Sequence, residues 1–320
     1  MSRLIRKSLI LAKIETTPGT DIVPTNIANA LLVSNMSIAI NYTNVNRDLI
    51  RPYFGASEQL VGTRALDISF DVEISGSGTA GTAPAWGPLL QGCGMTETLV
   101  AVTTASYAPN SDGTAAKSLS IYYYDDGVLH KALMARGTVE FSMGVNERPL
   151  MKFKFTALDA GVTAVSVPAP TLTAWRPPVV ITDTSTTDIT LGGTLTAGVI
   201  SAGTTYPSKG LMINLGNDVK FTPLLGSESV HIINRETTGS ISLQLTAAQE
   251  VSLMTAVNAN TLQSVGFTIG TAAGLKVTAF GASVQLSNPK KEEMDGRRLI
   301  GFDLRFMPVS GNDELNIVAL

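Results

Sequence analysis

The segment ALDISFDVEIS (65–75) sets Leu66, Ile68, Phe70, Val72 and Ile74 on one side of an extended chain and Asp67, Ser69, Asp71 and Glu73 on the other. This alternation predicts a strand in an antiparallel sheet with one face in the core and the other polar. SLSIYYY (118–124), the turn Asp125-Asp126-Gly127 and VLHKALM predict a hairpin. GTVEFSMGV and PLMKFKFTAL predict a second one around Asn146 to Pro149. Helical signals are few. PAWGPLLQGCGM (84–95) predicts a short helix punctuated by glycines. In TAAQEVSLMTAVNAN (246–260), Thr246 and Gln249 form a capping box, and Val251, Met254 and Val257 recur at helical spacing. The expected fold is mainly β with short helices.

The same order of signals occurs twice. NMSIAINY, ALDISFDVEIS, a short helix and the strands GTVEFS and PLMKFKFTAL make up the first round. LMINLGNDVKF, GSISLQL, the Thr246 helix and the strands GASVQLS and RLIGFDLRFMPV make up the second. This similarity of pattern predicts an internal duplication. Between the rounds, VSVPAPTLTAWRPPVV (165–180) holds four prolines without a period, and a Thr/Gly-rich tract follows. The expected organisation is a first unit over 1–165, a linker or β-arm over 166–205, and a second unit over 206–320.

Composition narrows the function. Charged residues are only 15% of the 320 and hydrophobic ones 44%, against roughly 25% charged in an average soluble domain. A chain with so little charge is expected to have part of its surface covered by other subunits. The net charge of −3 lacks a general nucleic-acid footprint, and the single cysteine, Cys93, excludes an intramolecular disulfide. The apolar run Leu9 to Ala12 is broken by Lys13 and Glu15, too short for a secretory signal core, and no stretch is long enough for a membrane helix. A soluble intracellular product is expected.

Candidate chemistry is thin. His130 and His231 are separated and lie in strand-like segments, without the spacing of a zinc site. GSGTAG (76–81) satisfies a dinucleotide-binding glycine pattern after a strand, but Pro84 and Pro88 oppose an immediate helix and the preceding strand alternates. A loop is the expected reading; catalytic, cofactor and metal residues are expected to be none. PKKEEMDGRR mixes signs in a hairpin loop, so that Lys290, Lys291, Glu292, Glu293, Arg297 and Arg298 are candidates for pairing with a neighbouring subunit. Exposed ion pairs are worth only about 0–1 kcal/mol each, so they would tune register rather than hold an assembly.

Four features together resemble the major tail protein, or tail tube protein, of long-tailed bacteriophages. They are the opening AKIETTPGTDIVPTNIANALLV, an alternating strand followed by a PLLQGCG-type helix, two long C-terminal strands across a variable loop, and a Thr/Gly/Ala/Val-rich composition. The resemblance implies a β-sandwich or barrel with a flanking helix, in a structural protein that forms stacked rings for DNA ejection. It implies tape-measure, tail-terminator and tip proteins as partners, a place in the virion tail, and a naked tube without a sheath. Two modules in one chain favour trimeric, pseudo-hexameric rings, with hexamers the alternative. A lumen that lets double-stranded DNA slide should not be continuously basic, which makes Asp67, Asp71 and Glu73 lumen-facing candidates. KIETTPGTDIVPT is then an arm to the adjacent ring, with Glu15, Pro18, Gly19 and Pro24 as its candidate residues. The rival reading is another β-rich virion surface component, a decoration protein or fibre module.

Overall fold

The computed structural model describes residues 3–113 and 116–320. In chain order the first part holds β1 (Ser8–Ile14), β2 (Ala30–Leu31), β3 (Ser34–Asn46), β4 (Gln59–Glu73), α1 (Gly87–Gly92), β5 (Met95–Val100), β6 (Thr104–Pro109), β7 (Leu119–Asp125), β8 (Val128–Gly144) and β9 (Leu150–Ala164). Then come β10 (Ile189–Leu191), β11 (Thr194–Thr196), β12 (Val199–Ser201), β13 (Thr204–Tyr206), β14 (Ser208–Asn214), β15 (Asn217–Leu224), β16 (Ser227–Arg235), β17 (Thr238–Leu243), α2 (Ala247–Asn258), β18 (Leu262–Ile269), β19 (Val277–Met294), β20 (Arg297–Phe306) and β21 (Asn316–Ala319). The chain is mainly β with two short helices, and its paired strands run antiparallel.

Local chemistry explains the individual elements. In β4, Leu66, Ile68, Phe70 and Val72 are buried while the residues between them stay partly exposed, which is the alternation of a half-buried strand. The β7–β8 turn places Asp126 and Gly127 at positive φ, as a two-residue hairpin turn requires. Thr246 caps α2: its hydroxyl accepts from the Gln249 N–H, and the Gln249 side chain accepts from the Thr246 N–H. The glycines of GSGTAG serve backbone packing. Gly78 N–H donates to the Gly274 carbonyl at 2.9 Å, and a Cβ on Gly76 would stand 2.2 Å from that same oxygen.

Strand pairing follows one order twice. In the first series β2, β1, β7, β8, β9, β4 and β3 pair in succession. In the second series the succession is β13, β10, β18, β19, β20, β17 and β14. The tract 189–205, expected within a linker or β-arm, together with Tyr206 supplies β10 and β13 to the second series, and Ile189 and Leu191 are buried. Residues 165–188 connect the two series. Here Trp175 Nε1 donates to the Ala30 carbonyl, tying the connector to the first series.

The two series join directly through the β8–β14 ladder, and β21 links the two parts of the chain again by pairing with both β19 and β6. β8 pairs β7 along its first half, and β14 takes the same edge from Glu140 to Gly144, with β9 on the other side throughout. Positive φ at Met134, next to a register shift, lets β8 turn between partners. A shared core runs beneath, with Phe70, Phe141, Phe153, Phe155 and Leu211 continuous with Ile213, Ile241, Phe302 and Leu304.

Candidate assembly surfaces

Eight strands lie side by side in the order β3, β4, β9, β8, β14, β17, β20, β19. Because side chains alternate across a strand, the partners of the core residues form one mainly polar face, interrupted by Met212 of β14. It carries Ser37 and Asn41 from β3, the β4 carboxylates, Lys152, Lys154 and Thr156 from β9, and Glu140 and Ser142 from β8. It continues with Asn214, Ser240, Ser242, Asp303, Arg305 and Ser287. All three predicted carboxylates lie on this face, and each is held by a neighbour. Asp67 accepts from Asn41 at 2.7 Å and Thr156 at 2.8 Å, Asp71 from Asn35 at 2.7 Å, and Glu73 from Arg148 at 2.9 Å. A hydrogen bond to Glu140 holds the Lys152 ammonium above the ordinary lysine value against some burial, with Asp71 and Glu147 adding to it. The face mixes small hydroxyl side chains with paired charges of both signs, and no continuous basic strip crosses it.

This sheet has two open edges. Among the described residues, β3 has β4 on one side and no strand on the other. β19 has β20 beside it from Val284 to Met294, and no strand lies on its opposite edge beyond Gln285. Met36, Ile38 and Ile40 of β3 are only half-buried, so the apolar row of that edge is unfinished. The mixed-charge residues Lys290, Lys291, Glu292 and Glu293 sit on the open edge of β19, and Arg297 and Arg298 begin β20 across the turn. Within the chain, Lys291 pairs with Glu250 of α2 at 3.7 Å, Lys290 with Asp303 at 3.5 Å, and Glu292 accepts from Ser242 at 2.7 Å.

The N-terminal candidates separate into two kinds. Glu15 is buried, and its carboxylate accepts four hydrogen bonds from its own chain: Ser118 Oγ at 2.6 Å, Ser120 Oγ at 2.9 Å, Met134 N–H at 2.9 Å and Gly19 N–H at 2.8 Å. Pro24 is also buried, whereas Pro18 is exposed and Gly19 half-exposed at the turn. β1, just before the turn, is an integral strand with Leu9 to Ala12 buried.

A further surface escaped the sequence reading. The β3–β4 connection extends as a ribbon beyond the core, with Tyr42, Val45, Leu60 and Val61 exposed on its stem and Leu49, Ile50, Tyr53 and Phe54 at its tip. Ile50 and Phe54 are fully exposed, at 104% and 106%. The signal was present as apolar pairs without a period, set among Arg47, Arg51, Pro52 and Gly55. The β15–β16 ribbon of the second series occupies the same place in the pairing order, and its tip exposes Leu224 and Leu225.

Among the described residues, neither histidine lies in a cluster of His, Cys, Asp or Glu that could hold a metal ion. His130 stacks on Tyr123 and His231 lies 3.3 Å from Arg136 Nη1. Burial pushes the Cys93 thiol well up, which disfavours the reactive thiolate. No described helix is long and apolar enough to cross a membrane. The family model described as phage tail tube protein matches residues 5–307. No curated protein matches the chain significantly.

Proposed function

Because the chain belongs to the phage tail tube protein family, we propose that its copies join edge to edge into closed rings, and that the rings stack into a tube carrying double-stranded DNA. The family is structural rather than enzymatic, its members are components of the virion tail, and they act as oligomers alongside other tail proteins. This sets aside the decoration-protein and fibre-module reading. The observation that carries the ring is the β8–β14 ladder. It already joins one series to the next inside a single chain, leaving a β3-type edge at one end and a β8-type edge at the other. The two series are then tandem modules, and β19 of one copy receives β3 of the next. An open strand edge is a template for pairing, and a head-to-tail contact that closes by rotation gives a ring.

Geometry favours three copies. Three times eight strands make a barrel of about 24, which at roughly 4.8 Å spacing and 40° tilt has a backbone diameter of about 48 Å. Side chains occupy about 5 Å on each wall, leaving a bore of roughly 38 Å. Duplex DNA, with grooves roughly 8 Å deep on either side, is about 20 Å across and passes. Two copies, about 16 strands, would leave roughly 22 Å and no clearance for hydration. Six copies would enclose a far wider channel than the cargo needs.

With the polar face inward, Asp67, Asp71 and Glu73 line the bore beside Lys152 and Lys154. The balance of signs keeps phosphate contacts from accumulating, so DNA slides. Ring-on-ring contacts run through the exposed apolar tips of the two ribbons and the turn at Pro18 and Gly19, while Glu15 and Pro24 hold that turn to the body. Tape-measure, terminator and tip proteins meet the tube along its bore and at its ends, and synthesis takes place in the host cytoplasm. Negative-stain microscopy of concentrated wild-type protein tests the reading. Hollow tubes or rings with three subunits are expected; six subunits would overturn the stoichiometry, and compact monomers at every concentration would overturn self-assembly.

A further inference from the structure

The internal repeat extends to the two ribbons residue by residue. Asn217 pairs with Arg235 at the stem of β15–β16, and Tyr42 pairs with Arg64 at the stem of β3–β4. Each ribbon then shifts register by one residue on the returning strand, between Asp218 and Val219 in one and between Tyr42 and Asn44 in the other, so that Val219 faces Ile232 and Asn44 faces Val61. Ile232 and Val61 are therefore equivalent positions. The two helices also end alike: Cys93 after α1 is followed by Gly94 at φ +76°, and Ala259 after α2 by Asn260 at φ +52°.

The surroundings of these equivalent parts differ. The β15–β16 stem lies on the first series. Arg136 donates to the Val230 carbonyl at 2.6 Å, and Asn217 Nδ2 donates to the Cys93 and Gly137 carbonyls at 2.6 and 2.8 Å. A Cβ on Gly94 would stand 3.0 Å from Ile232 Cδ1. Under that cover α1 buries Leu89 and Leu90 completely, and Val230 is buried as well. Among the described residues, none covers the matching flank of the second series. α2 buries only Leu253, Val251 is 67% exposed and Leu262 50% exposed, and the Gln285–Asn260 hydrogen bond faces solvent. Meanwhile the β3–β4 stem is spare, with Val61 64% exposed. The described residues thus leave one flank uncovered and one ribbon unused, of the two types that meet within the chain.

We propose that the β3–β4 ribbon stem of one copy seats on the α2–β18 flank of a second copy, with Val61 against Asn260 and Leu262. The contact rests on the ring reading and specifies its lateral interface beyond the strand edges. Burying Val61, Leu262 and Val251 together removes apolar surface that a monomer leaves in water. Because the contact is heterologous, every copy gives one ribbon and accepts one.

The test pairs two substitutions, Val61→Cys and Asn260→Cys, in one chain; the native Cys93 is buried and stays out of the reaction. A short bifunctional thiol reagent applied to rings of this variant should give covalent dimers and trimers on a denaturing gel, ending at the ring size. Each single variant alone should give only background dimer, and mixing the two should give dimers and nothing larger. Sedimentation velocity is run beside it on wild type and on Val61→Asp, whose site is exposed in the monomer, so folding is spared. Loss of rings by Val61→Asp with an unchanged melting temperature supports the contact. Wild-type rings with neither cross-linking nor sensitivity to Val61→Asp overturn this inference and leave the ring reading standing. Wild type that never leaves the monomer overturns both.

Discussion

Replacing Glu15 discriminates between a residue that holds its own chain together and one that reaches for a neighbour. Its carboxylate accepts from two backbone N–H groups, Met134 and Gly19, and from two serine hydroxyls, Ser118 and Ser120. The hydroxyls can rotate toward other acceptors, but the N–H groups cannot. In Glu15→Gln one carbonyl oxygen survives and the new NH2 faces a donor, so at least one buried N–H is stranded at a cost of about 2 kcal/mol. Glu15→Ala strands both and leaves a cavity, for a total of about 3–5 kcal/mol. Arg136, also buried, loses the carboxylate that favours its charge against that burial. Thermal unfolding at dilutions where wild type is monomeric should show Glu15→Ala falling by on the order of 10 °C, with Glu15→Gln in between. A loss below about 1 kcal/mol, with stacking abolished instead, would refute the internal-anchor reasoning and assign Glu15 to contacts between rings.

Reversing Asp67, Asp71 and Glu73 to Lys should leave ring formation intact. The tubes should gain affinity for short DNA duplexes that falls steeply with salt, and DNA ejection should be hindered; salt-independent binding and unimpaired ejection would place these residues away from the DNA. Thr246→Ala removes one half of the α2 capping box and should cost about 1 kcal/mol in urea unfolding, whereas no change would mean that α2 contributes nothing to monomer stability. Burial works against the Asp21 carboxylate, but hydrogen bonds from Tyr122, the Val23 N–H and Lys131 outweigh it and hold the carboxyl below the ordinary aspartate value. A depressed folded value contributes stability above the unfolded value and loses it as pH falls through the folded one. The stability gap between wild type and Asp21→Asn should therefore narrow from pH 6 to pH 3, and a gap that widens would invert the assignment.

The strand character of this chain was legible because it depends on nearest neighbours. The alternation of β4, the Asp126-Gly127 turn and the Thr246 capping box are each complete within a few residues, and each formed as read. The phage tail tube resemblance was legible for a related reason, since the order of such local signals runs along the chain. What the glycines of GSGTAG were for was not legible: their need is set by Gly274, almost two hundred residues away. Nor could the opening KIETTPGTDIVPT announce that Glu15 turns inward, because its four donors come partly from β7 and β8.

Sequence by itself determined the element types and the polar–apolar division of each strand, both properties of period and turn chemistry. Only the tertiary structure decided which edges stay open. Whether β3 or β19 has a partner depends on long-range pairing, and β14 takes the edge of β8 that its counterpart on β19 leaves bare. The same holds for the apolar ribbon. Leu49, Ile50, Tyr53 and Phe54 read like any short hydrophobic cluster until the fold places them beyond the core, where they stand exposed. Burial belongs to the folded surface rather than to the residue, so the sequence named the apolar material and the fold chose its location.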